Sequence, residues 1–362
     1  MAPAKVNLFL AVGARRTDGY HDLVTVFEAV PLTDLVTVRL RPAGTGEPTV
    51  RVSAFWSPGA PAASHPGAPT LPQDLDNLAG RAAQAFIEAV GGRGSELPPV
   101  AIEVTIEKRI PAGAGLGGGS SDAAATLLAL QELCGRPLDG RTLRRVAASL
   151  GSDVPFFLSG GRAVGRSRGE LLTLLPRAPR FHLVLALPPV TLATAEVYRR
   201  FDELSGAGPD PATLATRIGP GLPAGGDSPA PAGPRERETA LEAFLRALAG
   251  GEAGAVARCL RNDLQAAALS LRPEVGEMLR ALVQAGCLGA LVSGSGASVF
   301  GLAAGEEEAA GAAARASSAL PPALVGRVAF VPVVSPAWEV RDDPAEGARS
   351  GSGEAPHTLK PG

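Results

Sequence analysis

The chain has 362 residues, a length that predicts two domains of ordinary size with ample core. Its 45% hydrophobic content predicts a globular protein, and a net charge of −2 with no basic block argues against a nucleic-acid partner. Three widely spaced cysteines, Cys134, Cys259 and Cys287, form no CxxC pair; this argues against a disulfide framework or zinc site and predicts a reducing, cytoplasmic setting.

The first apolar run, "VNLFLAV" (Val6 to Val12), is too short to span a membrane and no cleavage pattern follows it. It reads as a strand. "DLVTVFEAV" (Asp22 to Val30) and "DLVTVRLRP" (Asp34 to Pro42) read as two more. The basic pair Arg15–Arg16 is solvated surface. Ser57 to Gln73 is a Pro/Gly/Ala loop, and a helix over "DNLAGRAAQAFIEAVGG" ends at Gly91. In "VAIEVTIEKRIP", Val100, Ile102, Val104 and Ile106 share one face, so this is a half-exposed strand. It runs into five glycines, Gly113, Gly115, Gly117, Gly118 and Gly119.

Ser120 or Ser121 can cap the helix that follows. Ala123, Leu127, Leu130 and Cys134 fall on one face of it, and Gly135 is its stop. "RTLRRVAASLG" is another helix. "FHLVLALPPV" (Phe181 to Val190) is a buried-type strand that opens the second half. Gly206 to Arg237 is rich in Gly, Pro and Ala and reads as a mobile insertion. Leu241, Phe244, Leu245 and Leu248 form a helical stripe. Then come a helix "EVGEMLRALVQAG", a glycine-turn hairpin "CLGALVSGSGASVFGLA", a helix "EEEAAGAAARASSAL" and a strand "RVAFVPVV". That order suits an α+β sandwich, with helices on one face of an antiparallel sheet. Residues 341–362 read as a disordered tail.

The glycine loop can turn its amides inward and approach a ligand closely. The helix behind it adds free N–H groups and a positive dipole end, so the pair suits an anion. Gly113-x-Gly115-x-x-Gly118 matches the dinucleotide fingerprint. That motif needs a strand buried on both faces and an acid about 20 residues on, where this chain has the turn "RPLDGRT". Gly113-x-x-x-x-Gly118 also begins a Walker A loop, but Gly119 stands where the lysine should be.

"PAGAGLGGGSSDAA" instead resembles the phosphate loop of the GHMP kinases, in both its glycines and its small-residue helix. Gly119 departs from the serine many members carry, and Asp122 puts an acid beside the phosphate site. "APAKVNLFLAVGARRTDGYHDLVTVFEAV", "LGSDVPFFLSGGRAVGRSRGE" and "LVSGSGASVFGL" resemble other GHMP segments, so the likeness runs from about Ala2 to Val334.

The resemblance implies a two-lobed architecture: an N-terminal lobe like ribosomal protein S5 domain 2 (residues 1–175, ATP-binding) and a ferredoxin-like C-terminal lobe (176–340). It implies ATP and Mg²⁺ as cofactors. Pro111, Gly113, Gly115, Leu116, Gly117, Gly118, Gly119, Ser120 and Ser121 are expected at the phosphates, and Asn77 near the adenine. Phosphorylating an alcohol needs a proton acceptor and stabilisation of the transferring group. By resemblance Asp153 is the base, with Lys5 its neighbouring cation. The "DGYHDL" element implies a small-molecule acceptor bearing a cytosine, a cytidylyl methylerythritol. Tyr20 and His21 are expected at the base and Tyr198 on its opposite face; these are the chain's only two tyrosines. Asn7 is expected on the methylerythritol and Thr194 in the same pocket. The turn Ser293 to Ser298 is read as bordering phosphates or substrate. No membrane association is expected.

Overall fold

Two long strands lay down the N-terminal half. In the computed structural model, which describes residues 1–43, 47–60, 70–91, 99–175, 180–188, 190–206, 233–321, 324 and 328–334, β1 (Ala2–Arg15) pairs antiparallel with β2 (His21–Pro42). The two stretches read as separate strands are one. Between Ala4↔Val30 and Pro3↔Thr33 the ladder shifts, and Pro31 falls in that irregularity. A proline there removes no ladder hydrogen bond, so the strand bends and continues.

The first half of β2 is flanked by β1 and by β5 (Arg162–Ser167); the second half pairs with β4 (Val100–Lys108). Strand β4 keeps the alternation of its sequence, with Val100, Ile102, Val104 and Ile106 buried. Strand β3 (Thr49–Trp56) lies parallel to β4 at the edge, and helix α1 (Leu78–Gly91) is the crossover between them. The order is β3-β4-β2-β1-β8, with β6 (Leu171–Leu174) beside β5 and β8 (Arg261–Asn262) parallel to β1. This sheet is therefore mixed, which corrects the expectation of antiparallel pairing throughout. A strand pair joined by a helix has the length to return in the same direction.

Helices α2 (Gly118–Leu133), α3 (Gly140–Leu150) and α4 (Val154–Ser159) cover this sheet with α1. Ala123, Leu127 and Leu130 of α2 meet Ala79, Ala82 and Phe86 of α1 over Ile102 and Val104; Cys134 stays half-buried at the helix end. Small residues let the two helices approach, which seats the N-terminus of α2 close to the sheet.

A second, antiparallel sheet has the order β11-β7-β10-β9, from β7 (His182–Leu187), β9 (Gly289–Val292), β10 (Val299–Ala303) and β11 (Ala329–Val334). One face packs Val184, Ala186 and Val299 against α5 (Thr194–Gly206), α8 (Gln265–Leu271), α9 (Glu274–Gln284) and α10 (Glu306–Ala319). The other face packs Leu183, Leu185 and Phe300 against β1 and α6 (Pro234–Gly250), which α7 (Ala253–Arg258) follows. Helix α6 begins inside the stretch read as an insertion: Pro234 sits in its first turn, where the missing N–H needs no partner. Residues 207–232 of that stretch and the tail lie outside the described residues. Among the described residues no helix is long and apolar enough to cross a membrane.

Candidate active site

The two sheets meet around a cavity of about 830 Å³. Its floor is β1, which carries Lys5 and Asn7 inward at two-residue spacing. The Lys5 Nζ donates to Asn7 Oδ1 at 2.7 Å, and Asn7 Nδ2 donates to Thr25 Oγ1 at 2.8 Å. Lys5 also lies 3.4 Å from Asp153 Oδ2 and 5.5 Å from the centre of the Phe27 ring. Asp153 precedes α4, a position from which an aspartate usually caps its own helix. Here its side chain makes no cap hydrogen bond and faces Lys5 and the cavity. Asp153 keeps 32% of its side chain exposed, whereas Lys5 keeps 5%, so the carboxylate is reachable and the ammonium is fixed.

The glycine loop closes over this pair. Gly113, Gly115 and Gly117 all have positive φ, at 64°, 78° and 71°. At Gly115 a Cβ would lie 2.1 Å from the Ser293 carbonyl, so glycine is required by contact as well as by conformation. The turn from Ser293 to Ser298, between β9 and β10, braces the loop. Ser293 Oγ donates to the Gly115 carbonyl at 3.0 Å, and the Ser298 N–H donates to the Ala114 carbonyl at 3.1 Å. Gly117 leads into α2, and the first turn of that helix lines the cavity beside Lys5. A helix N-terminus beside a cation suits an anion.

Of the residues named for the phosphates, Pro111, Gly113, Gly115, Gly117, Gly118, Gly119 and Ser120 line the cavity; Leu116 and Ser121 do not. Leu116 is buried in the core, and its carbonyl accepts the Lys5 N–H at 3.0 Å. Ser121, one residue past Ser120, is rotated inward by the helix, and its buried Oγ has no partner. Asn77 reaches the cavity but uses its amide locally. Its Oδ1 accepts from Ala79 N at 3.0 Å and its Nδ2 donates to the Pro72 carbonyl at 2.9 Å, so it caps α1.

At the other end the hairpin turn of β1 and β2 meets α5. The rings of His21 and Tyr198 are 5.2 Å apart. His21 Nδ1 is 2.9 Å from the Gly13 carbonyl, and Nε2 is 3.3 Å from Asp202 Oδ1. Burial pushes the Tyr198 phenol up, with the charges of Asp153 and Asp263 adding to it. Tyr20 stands exposed at the rim with the Arg168 guanidinium 5.0 Å over its ring. Thr194, at the start of α5, has its Oγ1 3.1 Å from Ser295 Oγ.

The acid beside the phosphate loop is buried at the cavity wall and already holds a cation. Asp122 Oδ2 accepts from Lys108 Nζ at 2.6 Å, and Lys108 also bonds Asp34 Oδ2. Asp34 Oδ1 accepts the backbone N–H of Arg109 at 2.5 Å and of Ile110 at 2.9 Å. Lys108, Asp34 and Arg168 were not foreseen. A signal existed for Lys108: it continues the buried parity of Val100 to Ile106, and a lysine there needs a partner.

Two family models match the chain: the GHMP kinases N terminal domain over residues 77–161 and the GHMP kinases C terminal over 240–322. The chain belongs to the GHMP kinases. It is 44% identical over 294 residues to 4-diphosphocytidyl-2-C-methyl-D-erythritol kinase of Mycolicibacterium gilvum (strain PYR-GCK), covering 81% of this chain and 78% of that one. It is 42% identical over 351 residues to the kinase of that name from Rhodococcus jostii (strain RHA1), covering 96% of each. A crystal structure of 4-(cytidine 5'-diphospho)-2C-methyl-D-erythritol kinase matches with a TM-score of 0.62 and 35% identity, over 92% of this chain and 97% of that chain.

Proposed function

We propose that this kinase transfers the γ-phosphoryl group of ATP to the 2-hydroxyl of 4-diphosphocytidyl-2-C-methyl-D-erythritol, a step of the non-mevalonate isoprenoid route. The relatives' names support the substrate. The observation that carries the chemistry is the Lys5–Asp153 pair, set between a glycine loop and an aromatic pocket in one cavity.

Phosphoryl transfer asks the protein mainly for position and charge. The loop amides from Gly113 to Gly119 and the N-terminus of α2 hold the triphosphate. Lys5, fixed by Asn7, stabilises the charge that develops on the transferring group. Asp153 accepts the proton of the attacking hydroxyl. His21, Tyr198 and Tyr20 bind the cytosine, Asn7 and Thr194 flank the sugar alcohol, and Asn77 borders the adenine. The two carboxylates at the phosphate end, Asp122 and Asp153, are each already engaged by a lysine. Mg²⁺ therefore enters as part of the nucleotide substrate, bound to its phosphates, as is usual for this hard ion. Residues 1–175 form the ATP-binding lobe in this reading and residues 176–340 the second lobe.

The test is release of ADP from ATP and Mg²⁺ with three acceptors: the cytidylyl methylerythritol, mevalonate and homoserine. Turnover is expected with the first alone. Tyr198→Ala should raise KM for that acceptor about tenfold, roughly one lost stacking contact, and leave KM for ATP in place. Turnover with mevalonate or homoserine instead would overturn the assignment.

A further inference from the structure

Beneath the glycine loop three ionisable side chains are packed in direct contact. Lys108 of β4 sits between Asp34 of β2 and Asp122 of α2, and all three are at least nine-tenths buried. Lys108 and Asp122 line the cavity, and a Cβ on Gly118 would lie 3.2 Å from Lys108 Nζ. The cluster thus abuts the first turn of α2, where the nucleotide phosphates are proposed to bind. With both carboxylates ionised it carries one net negative charge, which opposes a triphosphate.

The two carboxylates are not equivalent. Asp34 accepts hydrogen bonds from Lys108, Arg109 N and Ile110 N, so both of its oxygens hold donors. Asp122 accepts one, from Lys108, and its Oδ1 is buried with no partner. Of the two, Asp122 is the carboxylate with an uncommitted buried oxygen. Burial, set against Lys108 and reinforced by the Asp34 charge, pushes the Asp122 carboxyl up to about 7. Among the described residues the same cavity is also lined by Lys5 of β1 and Asp153 before α4, on the far side of Gly117, by Asp76 before α1 and Arg81 of α1, and by His21 and Arg168.

We propose that the Asp34–Lys108–Asp122 cluster sets the charge under the phosphate loop, and that Asp122 takes up a proton from solvent as the triphosphate binds. The proposal rests on the placement of the phosphates in that loop. Bound phosphate favours neutral Asp122, so nucleotide affinity is greatest below the titration of Asp122 and falls as pH rises through it. Asp122 is a positioning residue here: it acts on the nucleotide through the local charge and not by transferring a proton to substrate.

The experiment is calorimetric titration of the full chain with ATP and Mg²⁺, without acceptor, at pH 7.5 in buffers of different ionisation heat. Uptake of about half a proton is expected for the wild type and none for Asp122→Asn, with affinity falling about five- to tenfold from pH 6.5 to pH 8.5, as a one-unit rise on binding requires. Binding without proton uptake, or the same uptake in Asp122→Asn, overturns the proposal and leaves the phosphate site standing. If Asp122→Asn fails to fold, the wild-type affinity profile decides, and a flat profile overturns the proposal. Absence of nucleotide binding at every pH removes the phosphate site, and the proposal with it.

Discussion

Lys5 and Lys108 stand on opposite sides of the same glycine loop, each paired with carboxylate, and the partners differ in their access to water. Lys5 faces Asp153, a third of whose side chain is exposed in the cleft. Lys108 faces Asp34 and Asp122, with 0% and 3% side-chain exposure. A reachable carboxylate can meet a substrate hydroxyl. A sealed one can only set local charge and hold elements together, here β2, β4 and α2. On the proposed function, the same pairing chemistry serves reaction on one side of the loop and architecture on the other.

The largest effect should come from the reachable side. Asp153→Asn keeps the shape and removes the proposed proton acceptor, so kcat should fall by about 10²–10⁴, the usual reach of general-base catalysis. Nucleotide affinity measured by calorimetry should stay within about twofold. Normal turnover would end the distinction drawn here, because Asp153 would then be no more than a counter-ion.

Stability should divide the two lysines the other way. Lys108→Met strands two buried carboxylates, a loss on the order of 3–5 kcal/mol. In Lys5→Met, water can solvate Asp153, and the loss should stay within about 1 kcal/mol. Urea unfolding of both variants measures the difference. Equal losses would mean that the Lys108 cluster is wetter than its packing indicates.

A finer test uses pH. In the unfolded chain Asp122 titrates near its ordinary value, below its folded value of about 7. Between those values the folded state holds the extra proton, so this group's contribution is fully present below the unfolded pKa and is lost as pH rises toward about 7. Relative to the wild type, Asp122→Asn should therefore gain stability across that window and level off above it. Parallel stability curves for the two proteins would contradict the buried titration.

The reachable half of this comparison was legible in the sequence and the sealed half was not. Glycine spacing, the "PAK" strand and "GSDVPFF" mark the loop, Lys5 and Asp153 because each is a local pattern. Asp34 and Lys108 meet across 74 residues of sequence, and neither has a motif. Parity along β4 shows that Lys108 points inward but cannot say toward what. The same limit hid β3, whose partner lies beyond a helix, and the single course of β2, since a proline reads as a break until the ladder beside it is seen. The α6 stripe, in contrast, is set by local spacing: Leu241, Phe244 and Leu248 are buried as their positions require.

The glycines beside the two lysines separate a costly position from the one with the smallest expected effect, ranked by what a methyl group would meet. At Gly117 a Cβ would lie 2.9 Å from Phe157 Cζ and 3.2 Å from Lys5 Cε, on a backbone with φ of 71°. Gly117→Ala should therefore strain the loop by about 1–3 kcal/mol and shift Lys5, lowering kcat more than it raises KM for ATP. At Gly119 a Cβ meets nothing within 4 Å, and the residue already lies in α2. Gly119→Ala should leave turnover within about twofold and raise stability by up to about 1 kcal/mol through helix propensity. Thermal melts and initial rates on the two variants measure both. If Gly119→Ala weakened ATP as much as Gly117→Ala, bare backbone would be needed at Gly119 for the approach of phosphate, and the loop's demand for glycine would extend past the Lys5 side into the helix itself.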